Sequence, residues 1–492
     1  MKLIENIQQK MYNFVMGGKP MDKIMDKNAD EYNEQLENEI WYGGNAEKLN
    51  AFYSQFNNST MVKFNYFWSK SFGYDYIRKI HSGLPAMIVD KLLQISIRDG
   101  YNISASIQGK EEKEDSKTNI RFEEILDDNG FEDILKDATA LTLVNPKGAF
   151  KISSDPEITK YPIVEFVKSK NVEVIYKRNR LFEVVFKNYY EKIKKYCLKE
   201  AYGKGYIRYE LFEVKNNELL PVALDSIDET LEYAKYKDGI FEFKNQNVIY
   251  AVPFSIYDES IYAKKKDIFD AIDETLSIMG DAVRDSRTER YIPEDKLPTD
   301  LRTGEKLLPD GFDSRYILTN PSGKDIDEKI QIVQPDIKFD GYEGTLKSYI
   351  YQALLGLLSP STLGLDMAGK DNAEAQRERE KTSIFTRTDI LRSLENTIQE
   401  LGEKLLQADD EINGRTIGMY DISIEFTEYA SLSFEDKITT MATAKQAKIL
   451  PDSLIIDELY GDSKTDEEKK VILSELAKAD INIDFGDMLP KE

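Results

Sequence analysis

Few kinds of side chain here could carry chemistry. The chain has one histidine, His81, and one cysteine, Cys197. A Ser-His-Asp or Cys-His nucleophile needs an imidazole to take its proton, and a histidine-based metal centre needs more than one. His81 stands in Ile80-His81-Ser82-Gly83-Leu84-Pro85 and reads as a turn or surface residue rather than a ligand. A lone cysteine forms no internal disulfide, rules out a cysteine-rich zinc site and suits a reducing compartment. Carboxylates are the opposite case, with 89 Asp and Glu against 66 Lys and Arg. Paired acids could hold the two metals of a nuclease, but no pair stands out from so many, and structural charge networks are the commoner reason for such pairs. Gly323-Lys324 is followed by Asp325 and lacks the earlier glycine of a phosphate-cradling loop. No G-x-G-x-x-G follows a strand, and there is no H-E-x-x-H. The expectation is a protein without catalysis, cofactor or metal.

Composition sets wider bounds. A chain of 492 residues is too long for one ordinary core. It is 41% hydrophobic and 32% charged, which suits a globular chain with a large wetted surface. The formal charge of −23 would repel DNA unless geometry forces the two together. Solubility alone accounts for the same acidity. Residues 1–19 lack an apolar core of signal-peptide length, and no run approaches a membrane span. A cytoplasmic protein, or part of something assembled in a cytoplasm, is expected.

The elements that position these residues are organised around Asp340 to Leu405. Tyr342, Leu346, Tyr349, Ile350, Ala353, Leu354 and Leu357 recur at helical spacing, with Asp340 as the expected cap. The stretch from Ser359 to Gly369 must break that helix, since Pro360 biases Ser359 away from helical dihedrals and Gly364 and Gly369 loosen the backbone. Asp371 with Glu374, or Asn372, then caps a second start. Ile384, Leu391, Ile398 and Leu405, with Leu394 and Leu401 between, form an a/d stripe broken by Arg387. A long helix headed by a loop is a mechanical arrangement; a hairpin in a helical domain has the same spacing.

Before this stretch, helices are expected from Asp30 to Gly43 and onward from an Asn45 cap. Phe64, Tyr66, Phe67 and Trp68 form an aromatic cluster read as core or subunit contact; a base-stacking platform would carry more flanking Lys and Arg. A helix over 86–93 buries Met87, Ile88, Leu92 and Leu93, and a helical pair around Phe122 to Leu135 is punctuated by Asp127 to Gly130. Residues 172–176, 181–186, 206–212 and 248–252 read as strands of an antiparallel meander, with tight turns at Asn179-Arg180 and Asn216-Asn217. Ile268, Ile272, Leu276, Met279 and Val283 define an amphipathic helix whose other face carries Asp270, Glu274, Asp281 and Asp285. Residues 288–338 form a proline-punctuated lobe with few strands, 422–426 a strand, and 434–478 short acidic helices. The fold class is α+β, mostly helical.

In order and spacing, over about 400 of the 492 residues, these landmarks resemble the portal proteins of tailed bacteriophages, especially phages of Gram-positive bacteria. The carrying stretches are Trp41-Tyr42-Gly43-Gly44 with Leu49, Phe52 and Tyr53, then 80–85 with its helix, Phe122 to Leu135, and Ala263 to Arg290. Ile330 to Ile337, and Leu357 to Asp366 running into Asn372-Ala373-Glu374-Ala375, complete the series.

The resemblance implies a ring, typically of about twelve subunits, at one capsid vertex. It implies a flexible arm over 1–30, a wing over 31–262, a stem helix over 263–287, a clip over 288–339 and a second stem helix over 340–358. A tunnel loop over 359–371, a spine helix with a returning wing strand over 372–430 and a crown over 431–492 would follow. The implied partners are further copies of the chain, the terminase large subunit, a head–tail adaptor, the major capsid and scaffolding proteins, and double-stranded DNA passing without sequence reading, with no membrane. The implied location is the virion, after assembly in the host cytoplasm. On that reading Asp270, Glu274, Asp281 and Asp285 would line the bore and repel DNA, which carries about one negative charge per 1.7 Å of axis. Leu363, Leu365, Met367, Lys370 and Asn372 would form the loop near DNA. Arg377, Arg379 and Arg387, with Lys381, would make inter-subunit salt bridges or phosphate contacts; the interleaved Glu374, Glu378 and Glu380 favour salt bridges. Another acidic ring-forming phage component, or a metal-dependent nuclease, are the rival readings.

Overall fold

A computed structural model describes residues 29–54, 66–69, 77–98, 100–108, 112–215, 218–243, 247–286, 289–293, 299–304, 315–319, 331–334, 336–365 and 373–427. Positions 441, 445, 451, 453–456 and 469–474 are also described. The chain divides into one unit of residues 1–365 with 382–427, and another of 366–381 with 428–492. In the second unit the described residues beyond 427 are short helical pieces, where Ile455 and Ile456 are buried. Residues 1–28 of the expected arm and the tight turn at Asn216-Asn217 lie outside the described residues, as does most of the expected C-terminal region, while Ala29 and Asp30 already belong to a helix.

The first unit begins with α1 (Ala29–Gly43) and α2 (Ala46–Ser54). Asn45 caps α2 as expected, its Oδ1 accepting the Lys48 N–H at 3.0 Å. Next comes α3 (Leu84–Leu93), extended by a π-helical turn at Gln94–Arg98. Its buried face is Leu84, Pro85, Ile88, Val89 and Leu92; Met87, expected inside, is 56% exposed. Strand β1 (Tyr101–Ile107) leads to α4 (Glu112–Asn129) and α5 (Phe131–Val144), separated by Gly130 at φ +58°. Phe122, Ile125, Phe131 and Leu135 are buried, as the helical spacing predicted.

Strands β2 (Gly148–Ser153), β3 (Ile163–Val167), β4 (Val172–Lys177), β5 (Arg180–Glu191), β6 (Lys195–Gly203), β7 (Tyr206–Lys215), β8 (Glu218–Val222), β9 (Ile240–Glu242) and β10 (Ala251–Phe254) follow. The sheet β4-β5-β6-β7-β8 is an antiparallel meander, with β9 also on β7. Its first turn is centred on Arg178 and Asn179, both at positive φ, one residue earlier than the sequence suggested. A second sheet runs β10-β2-β3. The last expected strand of the meander, 248–252, belongs there, shifted to begin at Ala251.

Helix α6 (Lys266–Asp285) enters β11 (Glu289–Pro293); β12 (Arg315–Thr319) and β13 (Gln331–Val333) complete a sheet ordered β12-β11-β13. Among its described residues the segment expected to hold few strands holds three short ones, β11 and β12 parallel and β11 and β13 antiparallel. Then come α7 (Phe339–Leu354), a turn, the forty-residue α8 (Ala373–Ile412) and β14 (Tyr420–Phe426). Strand β14 pairs with β1, closing a loop of more than 300 residues through Ala105↔Ile422. Helix α8 buries Ile390, Leu394, Ile398, Leu401, Leu405 and Leu406. At Gly402 a Cβ would come within 2.9 Å of Ile422 and 3.0 Å of Phe122, so α8, β14 and α4 meet closely there. The architecture is mixed helix and strand with antiparallel sheets, an α+β fold.

Candidate functional site: the helix pair and the turn beyond it

Helices α6 and α7 pack against each other as an antiparallel pair. Two observations give the direction. Strand β11, just after α6, pairs with β13, just before α7, through Glu289↔Val333. At the opposite end, Lys265 Nζ donates to the Gln352 and Leu355 carbonyls at 3.0 and 2.9 Å. The ammonium group at the start of α6 therefore satisfies carbonyls at the C-terminal end of α7, where the helix dipole also favours positive charge.

The inner face of α6 is polar. Asp270, Asp273 and Ser277, at i, i+3 and i+7, are buried and present acceptors to two irregular segments. Asp270 takes the Phe67 N–H at 2.7 Å and the Trp68 N–H at 3.3 Å. Asp273 takes the Ser82 N–H at 2.8 Å and Trp68 Nε1–H at 3.1 Å, and lies 2.6 Å from His81 Nδ1. Ser277 Oγ accepts the Ile80 N–H at 2.9 Å. Three side chains thus replace the backbone partners that segments 66–69 and 80–82 would find in a sheet. Burial raises the Asp270 carboxyl to about 7; the two backbone N–H bonds pull it down, and the charges of Asp273 and Glu274 push it up again.

This placement corrects two expectations. Asp270 cannot line a channel, because its carboxylate is enclosed against Phe67 and Trp68. His81 lies in the irregular segment before α3, as one of the two expected alternatives had it, but not at the surface: its side chain is 2% exposed, with its ring 5.4 Å from that of Trp41 and 6.3 Å from that of Trp68. The same node holds Trp41 Nε1–H on Tyr53 OH at 2.9 Å, Tyr53 on Glu37, and Lys266 Nζ on Glu37 at 2.6 Å. The buried stripe of α6 lies about one residue away from the expected one. Of Ile268, Ile272, Leu276, Met279 and Val283 only Ile272 is buried, whereas Phe269, Asp270, Asp273 and Ser277 are. Polar residues in the buried stripe hid it; the signal was their i, i+3, i+7 spacing beside Phe269. Glu274 and Asp281 are half-buried and Asp285 is exposed.

Helix α7 is covered only in part. Ala353 and Leu354 are buried, while Phe339, Tyr351 and Leu355 are 47%, 57% and 59% exposed. Tyr342, Leu346, Tyr349 and Ile350, from the expected stripe, are half-buried. The N-cap position is Lys338 without a side-chain bond, so Asp340 lies in the first turn and is not the cap.

Past Leu355 the chain turns through Gly356 into a short 3-10 helix at Pro360–Leu363. Leu363 is half-buried and Leu365 exposed; Met367, Lys370, Asn372 and the Asp371 cap lie outside the described residues. Arg377 and Arg379 belong to α8, with side chains outside the described set. Arg387 departs from its expected role. Its Nε donates to the Ile95 carbonyl at 2.6 Å and its Nη2 to the Thr427 carbonyl, tying α8 to the π-helical turn and to the end of β14 within one chain. That explains a guanidinium at an a/d position. Among the described residues no group of three or more His, Cys, Asp or Glu is disposed to hold a metal ion, and no helix is long and apolar enough to cross a membrane.

No family model and no curated protein matches this chain.

Proposed function

We propose that this chain is a portal subunit of a tailed bacteriophage: a ring-forming protein whose channel passes double-stranded DNA and whose ring docks a packaging motor and later a head–tail adaptor. The observation that carries the reading is the antiparallel α6–α7 pair, joined at one end by the β11–β13 sheet and continuing through a Pro-Gly turn into the forty-residue α8. On this reading the pair is the stem, the small sheet the clip and α8 the spine. The exposed apolar residues of α7 support self-assembly, because one chain alone leaves Phe339, Tyr351 and Leu355 in water. The net charge of −23 supports a bore that does not grip phosphates. With Asp270 withdrawn, Asp285 is the exposed one of the four expected acids for that role, Glu274 and Asp281 being half-buried.

Negative-stain electron microscopy with mass measurement in solution tests the proposal. Closed rings with a central hole are expected, at about twelve times the 56.6 kDa chain mass. Magnesium- or manganese-dependent nicking of plasmid DNA by a ringless protein would overturn it in favour of a nuclease.

A further inference from the structure

The stretch from Tyr176 to Phe182 sets Lys177, Arg178 and Arg180 side by side in a chain whose net charge is −23. It is the tip of the β4–β5 hairpin. Strand β4 is the outer strand of its sheet, and β6 pairs with β5 only from Glu183 onward. The hairpin therefore ends as a two-stranded ribbon with no third strand beside it. Residues 176–180 are all exposed.

This tip is costly to fold as it stands. Lys177 and Arg180 are register partners across the ribbon, and like charges directly opposite repel. Arg178 holds φ +51° in the turn, a left-handed conformation that suits glycine or asparagine better than arginine. The neighbouring carboxylates are engaged elsewhere. Glu173 pairs with Lys187 at 3.2 Å, and buried Glu183 takes Tyr206 OH at 2.9 Å and Arg208 at 3.2 Å. Among the described residues Lys177, Arg178 and Arg180 join no ion pair; Lys177 Nζ lies 3.2 Å from the centre of the Phe182 ring instead. Three cations, one opposed pair and one left-handed arginine thus stand together without compensation inside the chain.

We infer that the β4–β5 tip is a contact site for the phosphate backbone of double-stranded DNA. A polyanion relieves the Lys177–Arg180 repulsion, and guanidinium forks match phosphate oxygens. The major groove admits a two-stranded ribbon, which an acidic protein surface has no matching groove to receive. Contacts of this kind fix position without reading sequence. Repulsion from the acidic remainder of the chain is screened over about 10 Å at 0.1 M salt, so the local charge governs at a projecting tip. The site lies in the meander, apart from α6 and α7, and the inference does not depend on the portal reading.

Fluorescence anisotropy of labelled mixed-sequence DNA duplexes, titrated with the full chain between 50 and 200 mM NaCl, tests the site. Lys177→Thr, Arg178→Gly and Arg180→Thr together should weaken binding at least about tenfold at the low-salt end, and the salt dependence should become shallower by about two to three in log–log slope. The melting temperature of this variant should stay level or rise, because the opposed cations and the left-handed arginine are gone. Arg180→Gln leaves the turn untouched and should lower the slope by about one, which keeps the test decisive if the triple variant misfolds. Two duplexes of unrelated sequence should bind alike. Equal binding by wild type and Arg180→Gln, with the same slope, would overturn the inference and assign any DNA affinity to another surface. Wild type that binds polyglutamate but not duplex DNA would overturn it in favour of an acidic protein partner.

Discussion

At Asp270, burial and hydrogen bonding pull in opposite directions, and burial wins. The ordinary carboxyl value of 3.8 rises to about 7 in the folded chain. The folded state therefore holds a proton that the unfolded chain has lost over that interval. Stability from this group is full below 3.8 and disappears as pH rises through about 7. The wild type should lose on the order of 2 kcal/mol between pH 5 and pH 8 that Asp270→Asn does not lose, measured by urea unfolding at each pH. A parallel pH dependence in both proteins would refute the assignment. His81 calls for a different measurement. Replacing it by alanine opens a cavity beside two indole rings and strips a partner from buried Asp273, which should cost about 2–4 kcal/mol in a circular-dichroism melt. Neither role was readable beforehand. An acid on a helix looks solvated until its partners are known, and those partners lie about 200 residues away in sequence.

Elements were easier to read than sites, and the exceptions have physical causes. The stripe of α8 was clear because Ile398, Leu401 and Leu405 pack in ordinary apolar fashion. Strand β6 was missed because Lys199-Glu200 interrupts its pattern. Glu200 is nonetheless buried there, opposite Phe186, where Asn188 Nδ2 donates to it and Lys151 stands 3.8 Å away. The three-stranded sheet after α6 was missed because its strands are short and widely separated. The tightest meeting of elements is at Gly402. Gly402→Val must push β14 and α4 away from α8 and should lower stability by about 1–3 kcal/mol, seen as a lower urea midpoint with an unchanged slope. Unaltered stability would mean that the three elements separate without loss.

At the scale of the whole molecule, the proposal turns on what covers α7. If further copies of the chain do, Tyr351→Asp and Leu355→Asp should prevent assembly while leaving the monomer's unfolding free energy within about 0.5 kcal/mol of wild type. Rings that persist in both variants, by light scattering and microscopy, would move the interface elsewhere. The order of the elements was visible in the sequence, as were the apolar faces of α4, α5 and α8; the polar buried face of α6 was not, because it depends on contacts made across about 200 residues. The node on α6 has one more consequence. Trp41 and Trp68 are the only two tryptophans in 492 residues, and both flank His81. Intrinsic indole emission from this large chain is therefore a local signal. Its change on denaturation reports the release of segments 66–69 and 80–82 from α6.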